Sequence, residues 1–542
     1  MKIILLAIRS LMRFRLYTVI NVLGLALSLA CVIIISRYVY SEATTDHFNK
    51  NHERMFLSVR HWGDQKQKAV LFTTDNALLK KNYVNPLDIP EIEQRTSFVS
   101  ISNTEIKVDE KLFKAHILAT DTFFLRIFDY PLIAGNREQL LSTPQEAVVT
   151  QQFARRLFGK ENPVGKSFDY NGNILTIKGI IGETETQSSL HFDVLISKAL
   201  QWRWPPVNYF SIALAHPGVD SKQINEKLKE DFHKAGSKSF FFQVMPLDKL
   251  YMDKAIDKGQ DTFRQGNADS VKILTFVAIL LLVIGVFNFI HISSVVIIKR
   301  GRELGMKKVF GARPMQLFIQ LYAENWVLTA IALFIGWVFI EITQPIQVNQ
   351  LDIIATVSAT FNLLLTLGLL IGLPLLITLY PFFNYSYRQT IRSLQGITPG
   401  KNKIGSRSLF LVAQYVITCC LIISSLFFMK QLDFMLNADL GYRTQDIIKA
   451  WFIRPTSQMS YGEEDKKRSK AVSSAIRDAI QASPLFQSFS YVESPYELAD
   501  DPFSRVKMRA PGGEWHEVLQ VKLYNSFFDV YEIPVSADRY PQ

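Results

Sequence analysis

The stretch ILTFVAILLLVIGVFNFIHISSVVIIKRGRELGMKKVFGAR, residues 273–313, decides the fold. Residues 273–298 are mostly apolar and carry no Lys, Arg, Asp or Glu. A helix of about 20 such residues crosses the hydrocarbon core of a membrane, which is roughly 30 Å thick. Residues 299–313 then hold six basic residues and one acidic residue. Short loops rich in Lys and Arg remain in the cytoplasm, so the stretch predicts a membrane-spanning helix that ends in a cytoplasmic loop.

Four further apolar runs have the same character. They lie at 16–36, 317–340, 353–381 and 408–429. The third span of the chain, at 317–340, reaches the necessary length only if its helix begins near Leu317 and carries Glu324 close to one membrane interface. The sequence therefore predicts a membrane α-helical protein with five spans.

Charge alternates between the segments that join these spans. Residues 1–15 and 388–407 carry net charges of +4 and +5, whereas the long segments 37–272 and 430–542 carry only +2 and −2. The positive-inside rule places the basic segments in the cytoplasm, and the N-terminus with them. This distribution accounts for the overall net charge of +11 without a nucleic-acid partner.

We predict one order of segments along the chain. It runs from a cytoplasmic amphipathic helix (1–15) through span 1 (16–36), a periplasmic domain (37–272), span 2 (273–298), a short cytoplasmic helix (299–316), span 3 (317–340), span 4 (353–381), a cytoplasmic loop (388–407) and span 5 (408–429) to a second, incomplete periplasmic domain (430–542). An ordinary charged flank of span 1 explains residues 1–15 equally well. A cleaved signal peptide is disfavoured, because Ser28 and Ala30 lie within the first apolar run instead of after it.

The segment 37–272 has the pattern of a mixed α/β domain. The β-rich stretches 146–150 and 174–181 predict strands. Ile224 and Leu228 lie four residues apart on one face of a predicted helix at 221–235. The fold class expected from the sequence is thus a helical membrane protein with a mixed α/β domain between spans 1 and 2 and the start of another after span 5.

Two segments of the chain resemble each other. Residues 121–131 read DTFFLRIFDYP, and residues 525–534 read NSFFDVYEIP. Chance is the alternative explanation, but each segment follows a predicted span, which favours an internal duplication. On that basis we expect the chain to be a fragment of a longer protein, with the rest of a second domain and three more spans after Gln542.

The sequence predicts no catalytic, cofactor or metal site in this chain. Residues 159–167, GKENPVGKS, resemble a phosphate-binding loop, but five residues separate Gly159 from Gly165 where that loop has four. His47 and His52 form the closest histidine pair, yet their spacing does not align them on one helix face. We expect both histidines to be surface residues.

Polar and small residues within the spans indicate close helix packing. Gly24 and Ser28 lie four residues apart in span 1 and permit a neighbouring helix to approach. Asn288 and His291 lie in span 2, where contact with lipid is costly. A hydrogen bond to a neighbouring helix is the favoured explanation, and a path for a substrate or proton is the alternative.

The segment 299–313 is more ordered than a basic loop requires. Glu303 and Lys307 lie four residues apart and can pair on a helix, while Gly305 and Gly311 punctuate the segment. These features indicate a short amphipathic helix at the cytoplasmic face, which suits the docking of another protein.

Together with Asn288, Phe289, Ile290 and His291, this segment resembles the FtsX-like, or MacB-type, permeases of ABC transporters. The residues that fit the family pattern R-x-x-E-[IL]-G-x-[RK]-K-x-x-G-A are Arg300, Glu303, Leu304, Gly305, Lys307, Lys308, Gly311 and Ala312. His291 departs from the Asn usual there. The domain at 37–272 is similar to the MacB-like periplasmic core, and GKENPVGKS fits its F-G-x-x-N-P-x-G-K turn.

The resemblance implies a non-catalytic membrane subunit of a mechanotransmission ABC transporter. A separate cytoplasmic ATPase, with its ATP and Mg²⁺, would couple to the chain through Arg300, Glu303, Leu304, Gly305, Lys307, Lys308 and Gly311. Its hydrolysis would drive work on a periplasmic substrate or partner, such as the export of a peptide, a lipoprotein or a small toxic compound.

The same resemblance implies a location and further partners. We expect a multi-pass protein of the bacterial cytoplasmic membrane that contacts lipid, a periplasmic adaptor or outer-membrane protein, and a second copy or pseudo-symmetric half. Two alternatives are a non-transporting regulator of a periplasmic cell-wall enzyme and an extracytoplasmic ligand sensor.

Overall fold

A computed structural model of the chain describes residues 15–62, 69–70, 89–201, 210–234, 240–253, 256–257, 263–351, 358–386, 404–448, 463–490, 505–509, 515–519 and 526–533. The predicted helix at 1–15, apart from Arg15, and most of the predicted loop at 388–407 lie outside these residues. The chain forms two compact units, Met1–Ile417 and Thr418–Gln542.

The described chain contains both helices and strands. The helices of the described chain are α1 (Arg15–Ala43), α2 (Phe124–Ile127), α3 (Gln151–Phe158), α4 (Ser221–Lys234), α5 (Leu247–Met252), α6 (Ala268–Lys299), α7 (Gly301–Val309), α8 (Pro314–Leu351), α9 (Ala359–Ser386), α10 (Ile404–Asn437), α11 (Glu463–Ala482) and α12 (Ser526–Tyr531). The strands are β1 (Met55–Trp62), β2 (Ala69–Val70), β3 (Ile92–Val108), β4 (Lys111–Thr120), β5 (Leu132–Ala134), β6 (Glu146–Thr150), β7 (Ser167–Tyr170), β8 (Asn173–Ile181), β9 (Val194–Ser197), β10 (Phe210–Ala215), β11 (Phe240–Pro246), β12 (Ile256–Asp257), β13 (Arg505–Arg509) and β14 (Trp515–Leu519).

Five helices of the described chain are long and apolar enough to cross a membrane. They are α1, α6, α8, α9 and α10, which confirms the prediction of five helical spans. Each helix extends past the C-terminal end of the apolar run that predicted it, and all but α9 also begin before that run, because intrahelical hydrogen bonds continue into the polar flanks. Helix α8, for example, begins at Pro314, and proline favours the first turn of a helix because its missing N–H has no intrahelical partner there.

Helix α1 packs closely against two other spans through small residues. A methyl group added to Gly24 would lie 3.2 Å from Asn288 Nδ2 of α6. The Ser28 hydroxyl donates to the Leu281 carbonyl of α6 at 2.8 Å. On another face, Gly336 of α8 lies against the backbone of Ala26. The prediction that Gly24 and Ser28 permit close helix approach is confirmed, and Asn288 faces α1.

The apolar core of the membrane bundle surrounds α1. It combines buried side chains of four helices, among them Leu25, Leu29, Ile33, Phe289, Ala332, Leu333, Leu373 and Ile377. Lipid is as apolar as these side chains, so close van der Waals packing holds the helices together in place of a hydrophobic driving force.

The domain between spans 1 and 2 contains a closed barrel, which confirms the mixed α/β prediction. Strand β3 pairs with β4, β4 with β9, β9 with β6, β6 with β8, β8 with β7, and β7 again with β3. The interior is filled by alternate side chains of these strands, including Ile117, Ala119, Val149, Phe168, Ile177 and Val194. A closed barrel leaves no free edge among its six strands.

The sheet continues beyond the barrel through β10 and β1 to β11 and β2. Helix α4 covers one face of this extension, where Ile224 and Leu228 pack against Phe56, Ala213 and Val244. The predicted helix at 221–235 and the strands at 146–150 and 174–181 are therefore present within one residue of their expected bounds. The phosphate-loop lookalike at 159–167 is the turn from α3 to β7, with Gly159 and Gly165 in left-handed conformations.

Both copies of the repeated motif form a short helix, α2 in the first unit and α12 in the second. The acidic residue at the end of each motif holds the segment that follows a span. Asp129 accepts the Lys50 N–H at 2.8 Å, and Glu532 accepts from the Arg443 guanidinium at 2.7 Å. This parallel supports the predicted internal duplication.

The close contact between α1 and α6 predicts a specific sensitivity to volume. In Gly285→Ala the new methyl group would lie 2.9 Å from Ser28 Cβ and still closer to its hydroxyl. We expect the free energy of unfolding to fall by about 2 kcal/mol, because overpacking forces the helices apart. Thermal unfolding of the protein in detergent micelles measures this loss.

Two variants separate overpacking from a general effect of alanine. Gly368→Ala in α9 adds a methyl group with no neighbour within 4 Å and should leave the midpoint temperature of thermal unfolding unchanged. Ser28→Gly combined with Gly285→Ala should recover most of the loss. Equal effects of Gly285→Ala and Gly368→Ala would contradict the packing described above.

Candidate functional site

The predicted short helix joins two spans with almost no loop. Helix α6 ends at Lys299, α7 occupies Gly301–Val309, and α8 begins at Pro314. The helix is shorter than the predicted 299–316 because Gly311 takes a left-handed φ of 88° and its N–H donates to the Lys308 carbonyl. Glycine adopts this conformation without steric cost, which explains why the chain turns here.

A buried ion pair anchors the start of this short helix. Arg300 Nη1 donates to Glu324 Oε2 at 2.6 Å, and Arg300 Nη2 donates to Glu324 Oε1 at 3.1 Å. The side chains of Arg300 and Glu324 are only 5% and 7% exposed. A bidentate pair of this kind fixes direction as well as distance. The pair therefore locks the end of α6 to α8.

Three more side chains extend the pair into a network. Arg300 also donates to both Glu303 carboxylate oxygens at 3.3 Å. Lys307 donates to Glu303 Oε1 at 3.2 Å and to Gln320 Oε1 at 3.0 Å. Gln320 Nε2 in turn donates to Glu324 Oε1 at 3.1 Å. We call Arg300, Glu303, Lys307, Gln320 and Glu324 the ion network; it ties α7 to both α6 and α8.

Electrostatics keeps Arg300 and Glu303 charged. Burial raises the pKa of Glu303, but hydrogen bonds and charge from Arg300 and Lys307 outweigh it, so the net shift is downward. Burial lowers the pKa of Arg300, whereas Glu324 and Glu303 raise it above its ordinary value. Arg300 and Glu303 therefore stay ionised at neutral pH.

Three apolar side chains at the C-terminal end of α7 are exposed. Met306, Val309 and Phe310 are 51%, 63% and 89% exposed, and their spacing places them on one side of the helix. Met315, at the start of α8, is exposed beside them in sequence. Amphipathic helices normally turn their apolar face inward. Here Glu303 and Lys307 are held by the ion network, while Met306, Val309, Phe310 and Met315, which we call the apolar tip, are exposed.

The structure brings together some of the predicted site residues and separates others. Arg300, Glu303 and Lys307 share the ion network, while Gly305 is buried in α7 and Gly311 forms the turn. Lys308 is half-buried and makes other interactions. The side chain of Leu304 lies outside the described part of the structure.

Sequence reasoning missed the role of Gln320 and Glu324. Glu324 had been recognised only as a charge near a membrane interface. A carboxylate within a span requires a cationic partner, and Gln320 lies one helical turn before it. A carboxylate at this position therefore indicates that Glu324 has a cationic partner, but it does not identify which of the nearby basic residues is that partner.

The spans are also tied together at their other ends, where α1 and α6 enter the domain between them. The loop between β8 and β9 contacts both the segment after α1 and the segment before α6. The Ser189 N–H donates to Asp46 Oδ1 at 2.9 Å, and the Ser189 carbonyl accepts the Arg264 N–H at 2.7 Å. Leu190 also bridges to Phe263. We call residues 44–50, 186–190 and 263–266 the exit junction.

Two histidines lie in and next to the exit junction. The rings of His47 and His52 stack with centroids 4.1 Å apart, so the pair that sequence spacing separated is brought together by a turn. His47 is exposed and His52 is half-buried. Across the described residues, no cluster of three or more His, Cys, Asp or Glu is arranged to hold a metal ion.

Comparison with known families matches both parts of this architecture. Residues 18–231 match the MacB-like periplasmic core domain, and residues 275–390 match the FtsX-like permease C-terminal family. Fold and site thus define a multi-pass membrane permease with an extracytoplasmic domain. The chain belongs to the ABC transporter permease family, as an FtsX-like permease with a MacB-like periplasmic core domain.

Individual relatives are distant. The chain is 24% identical over 219 residues to the "Uncharacterized ABC transporter permease YknZ" of Bacillus subtilis, covering 38% of this chain and 49% of the relative. It is 22% identical over 370 residues to the "Macrolide export ATP-binding/permease protein MacB 2" of Aeromonas hydrophila, covering 64% and 54%. The chain thus spans about half the length of the curated relatives it matches.

Among solved structures, the periplasmic region of MacB from Actinobacillus actinomycetemcomitans is similar to this chain. The two are 16% identical, with a TM-score of 0.26, and the likeness covers 36% of this chain and 90% of the other.

The ion network predicts a large cost for removing one partner. In Glu324→Gln the buried Arg300 loses its bidentate acceptor, and we expect the free energy of unfolding to fall by about 3 kcal/mol. Chemical or thermal unfolding in detergent measures the change. Glu161→Gln, which removes an exposed ion pair with Lys166 in the extracytoplasmic domain, is the control and should have no measurable effect. Equal stability of the two variants would contradict a role for Glu324.

Proposed function

We propose that this chain is the membrane subunit through which a cytoplasmic ABC ATPase does mechanical work on the other side of the membrane. The chain itself supplies no catalysis; ATP and Mg²⁺ belong to the ATPase. The single observation that carries the proposal is that Glu303 and Lys307 of α7 are held by the ion network while the apolar tip is exposed.

The apolar tip supports docking of a protein. Exposed apolar side chains cost free energy in water, and contiguous groups of them mark interaction surfaces. Phe310 is the most exposed of the four and suits insertion into an apolar pocket of a partner. Since the positive-inside rule places this loop in the cytoplasm, the partner is expected there.

The ion network supports transmission of force from the docked ATPase. A push on α7 acts through Glu303 and Arg300 on the end of α6, and through Glu324 on α8. Both of these spans pack on α1 through small residues. At the far end, α1 and α6 meet the same loop in the exit junction. Motion of the spans therefore changes how the extracytoplasmic domain is held.

We favour export as the function of the transporter. The names of several relatives describe export, of macrolides by MacB and of syringafactin by SyfD. We propose a peptide, a lipoprotein or a small toxic compound as the class of substrate, handled outside the membrane with a periplasmic adaptor or outer-membrane protein. A second copy of the chain, or a pseudo-symmetric half, would complete the transporter in the membrane lipid.

The proposed orientation in the bacterial cytoplasmic membrane can be tested by labelling. With the three native cysteines replaced, a new cysteine at exposed Lys160 should react with an impermeant maleimide while the cytoplasmic membrane is intact. A cysteine at exposed Arg313 should react only after that membrane is permeabilised. The reverse pattern would overturn the cytoplasmic placement of the N-terminus and of α7.

Docking and transmission predict two different defects. Phe310→Asp leaves the ion network in place and should reduce the amount of co-purifying ATPase on the order of tenfold. Glu303→Lys should preserve that association but abolish the stimulation of ATP hydrolysis, because α7 no longer pulls on α6 and α8. Pull-down and ATPase assays with the chain in lipid nanodiscs distinguish the two.

Phe123→Asp supplies the matched control, since Phe123 is an exposed aromatic residue of the extracytoplasmic domain. It should change neither association nor stimulation. Recovery of wild-type ATPase binding and stimulation by both Phe310→Asp and Glu303→Lys would overturn the proposed coupling. A cell-wall enzyme among the co-purifying proteins would favour regulation over export, and no ATPase at all would favour a sensor.

A further inference from the structure

A buried carboxyl group occupies the middle of the exit junction. Asp46 follows α1 by three residues, is 0% exposed and has a left-handed φ of 66°. Its Oδ1 accepts the Ser189 N–H at 2.9 Å and the Ser188 hydroxyl at 3.4 Å. Its backbone N–H donates to the Gln187 carbonyl at 2.7 Å. The residue therefore ties the end of span 1 to the loop that also holds the start of span 2.

The second carboxyl oxygen of Asp46 is in a different situation. Oδ2 is fully buried and accepts no hydrogen bond from the described residues. An ionised carboxylate without enough donors is costly inside a protein, and binding a proton relieves that cost. Burial raises the pKa of Asp46 to about 6, although hydrogen bonding by Ser189 and Ser188 opposes the rise.

We propose that Asp46 is a proton-binding site whose occupancy sets how firmly span 1 is held by the extracytoplasmic domain. Near neutral pH the carboxylate is ionised and the junction is weakened by a buried negative charge. In mildly acidic surroundings the proton neutralises that charge and the junction tightens.

The direction follows from proton linkage. In an opened junction Asp46 is solvated and titrates near its ordinary pKa of 3.8, whereas in the closed junction its pKa is about 6. The closed state therefore binds the proton more tightly than the open state. Closure is strongest below the lower value and loses this contribution as the pH rises through the higher one.

Other titratable groups lie around Asp46. On α5, the charge of Asp248 acts on Asp46 and raises its pKa further. Tyr130 donates to or accepts from Ser188, and burial raises the pKa of Tyr130 so that it remains neutral. Tyr251 donates to Glu42 at 3.0 Å, and burial likewise keeps Tyr251 neutral by raising its pKa.

Protonation of His47 weakens the junction, whereas protonation of Asp46 strengthens it, and both occur in the same range of pH. Burial, followed by the charge of His52, lowers the pKa of His47. Folding therefore favours neutral His47, and its contribution is lost as the pH falls. A test of Asp46 has to be made with His47 removed, and His47→Gln is suitable because His47 is exposed.

The consequence for transport rests on the proposed function. If the spans transmit force to the extracytoplasmic domain, a proton on Asp46 makes that transmission stiffer when the exterior is acidic. The proton site itself requires no ATPase, so it can be tested on the purified chain, and its failure would leave the proposed coupling through α7 untouched.

The experiment is hydrogen–deuterium exchange on the full chain carrying His47→Gln in nanodiscs at pH 5 and pH 7.5. Peptides that contain Asp46 and Ser189 report opening of the junction, after correction for the intrinsic exchange rate at each pH. We expect protection about tenfold higher at pH 5, as the two pKa values require. Equal protection at the two pH values would overturn the proposal, whatever the variants below do.

Two variants on the same background identify the group. Asp46→Asn keeps the shape and a residue that tolerates left-handed backbone, and its protection should not differ between the two pH values. Asp129→Asn changes another carboxyl that holds the same segment, through Lys50, and should retain the tenfold difference. A difference that persists in Asp46→Asn would assign the effect to another group and sink the proposal.

Discussion

The pairing of Arg300 with Glu324 is the interaction on which the candidate site depends. A guanidinium and a carboxylate that are both more than nine-tenths buried cannot each be left alone, because the loss of hydration would cost several kcal/mol per ion. Their bidentate contact fixes the end of α6 against α8 and thereby sets the direction in which α7 leaves. Glu303 and Lys307 join the same network, so α7 is held while Met306, Val309 and Phe310 are exposed.

This constraint leaves apolar side chains exposed at the end of α7. In a soluble amphipathic helix, burial of apolar area determines which face points inward. In α7, Glu303 and Lys307 already have partners in the ion network, and Met306, Val309 and Phe310 are exposed. The free energy that would be gained by covering them remains available to a partner, which is why the apolar tip is the centre of the proposed function.

The bundle connects two ends that have different chemistry. At the α7 end, ionised side chains bind helices to one another and stay charged. At the opposite end, Arg37 of α1 lies within electrostatic reach of Glu341 of α8, and just beyond it Asp46 joins the domain by hydrogen bonds from Ser189. Between these ends, close contacts of Gly24, Ser28 and Gly285 leave no space to absorb a displacement. A tightly packed bundle of this kind transmits movement instead of dissipating it.

The sequence by itself determined the five spans, their expected orientation and the helical character of residues 301–309, because these follow from the length of apolar runs, from charge and from local spacing. Only the tertiary structure decided that Arg300 pairs with Glu324, that Met306, Val309 and Phe310 are exposed, and that Asp46 is buried against Ser188 and Ser189. The Arg300–Glu324 and Asp46–Ser189 contacts join groups 24 and 143 residues apart in the chain. Periodicity reports the faces of one element, but the partner of a buried charge is set by which elements meet.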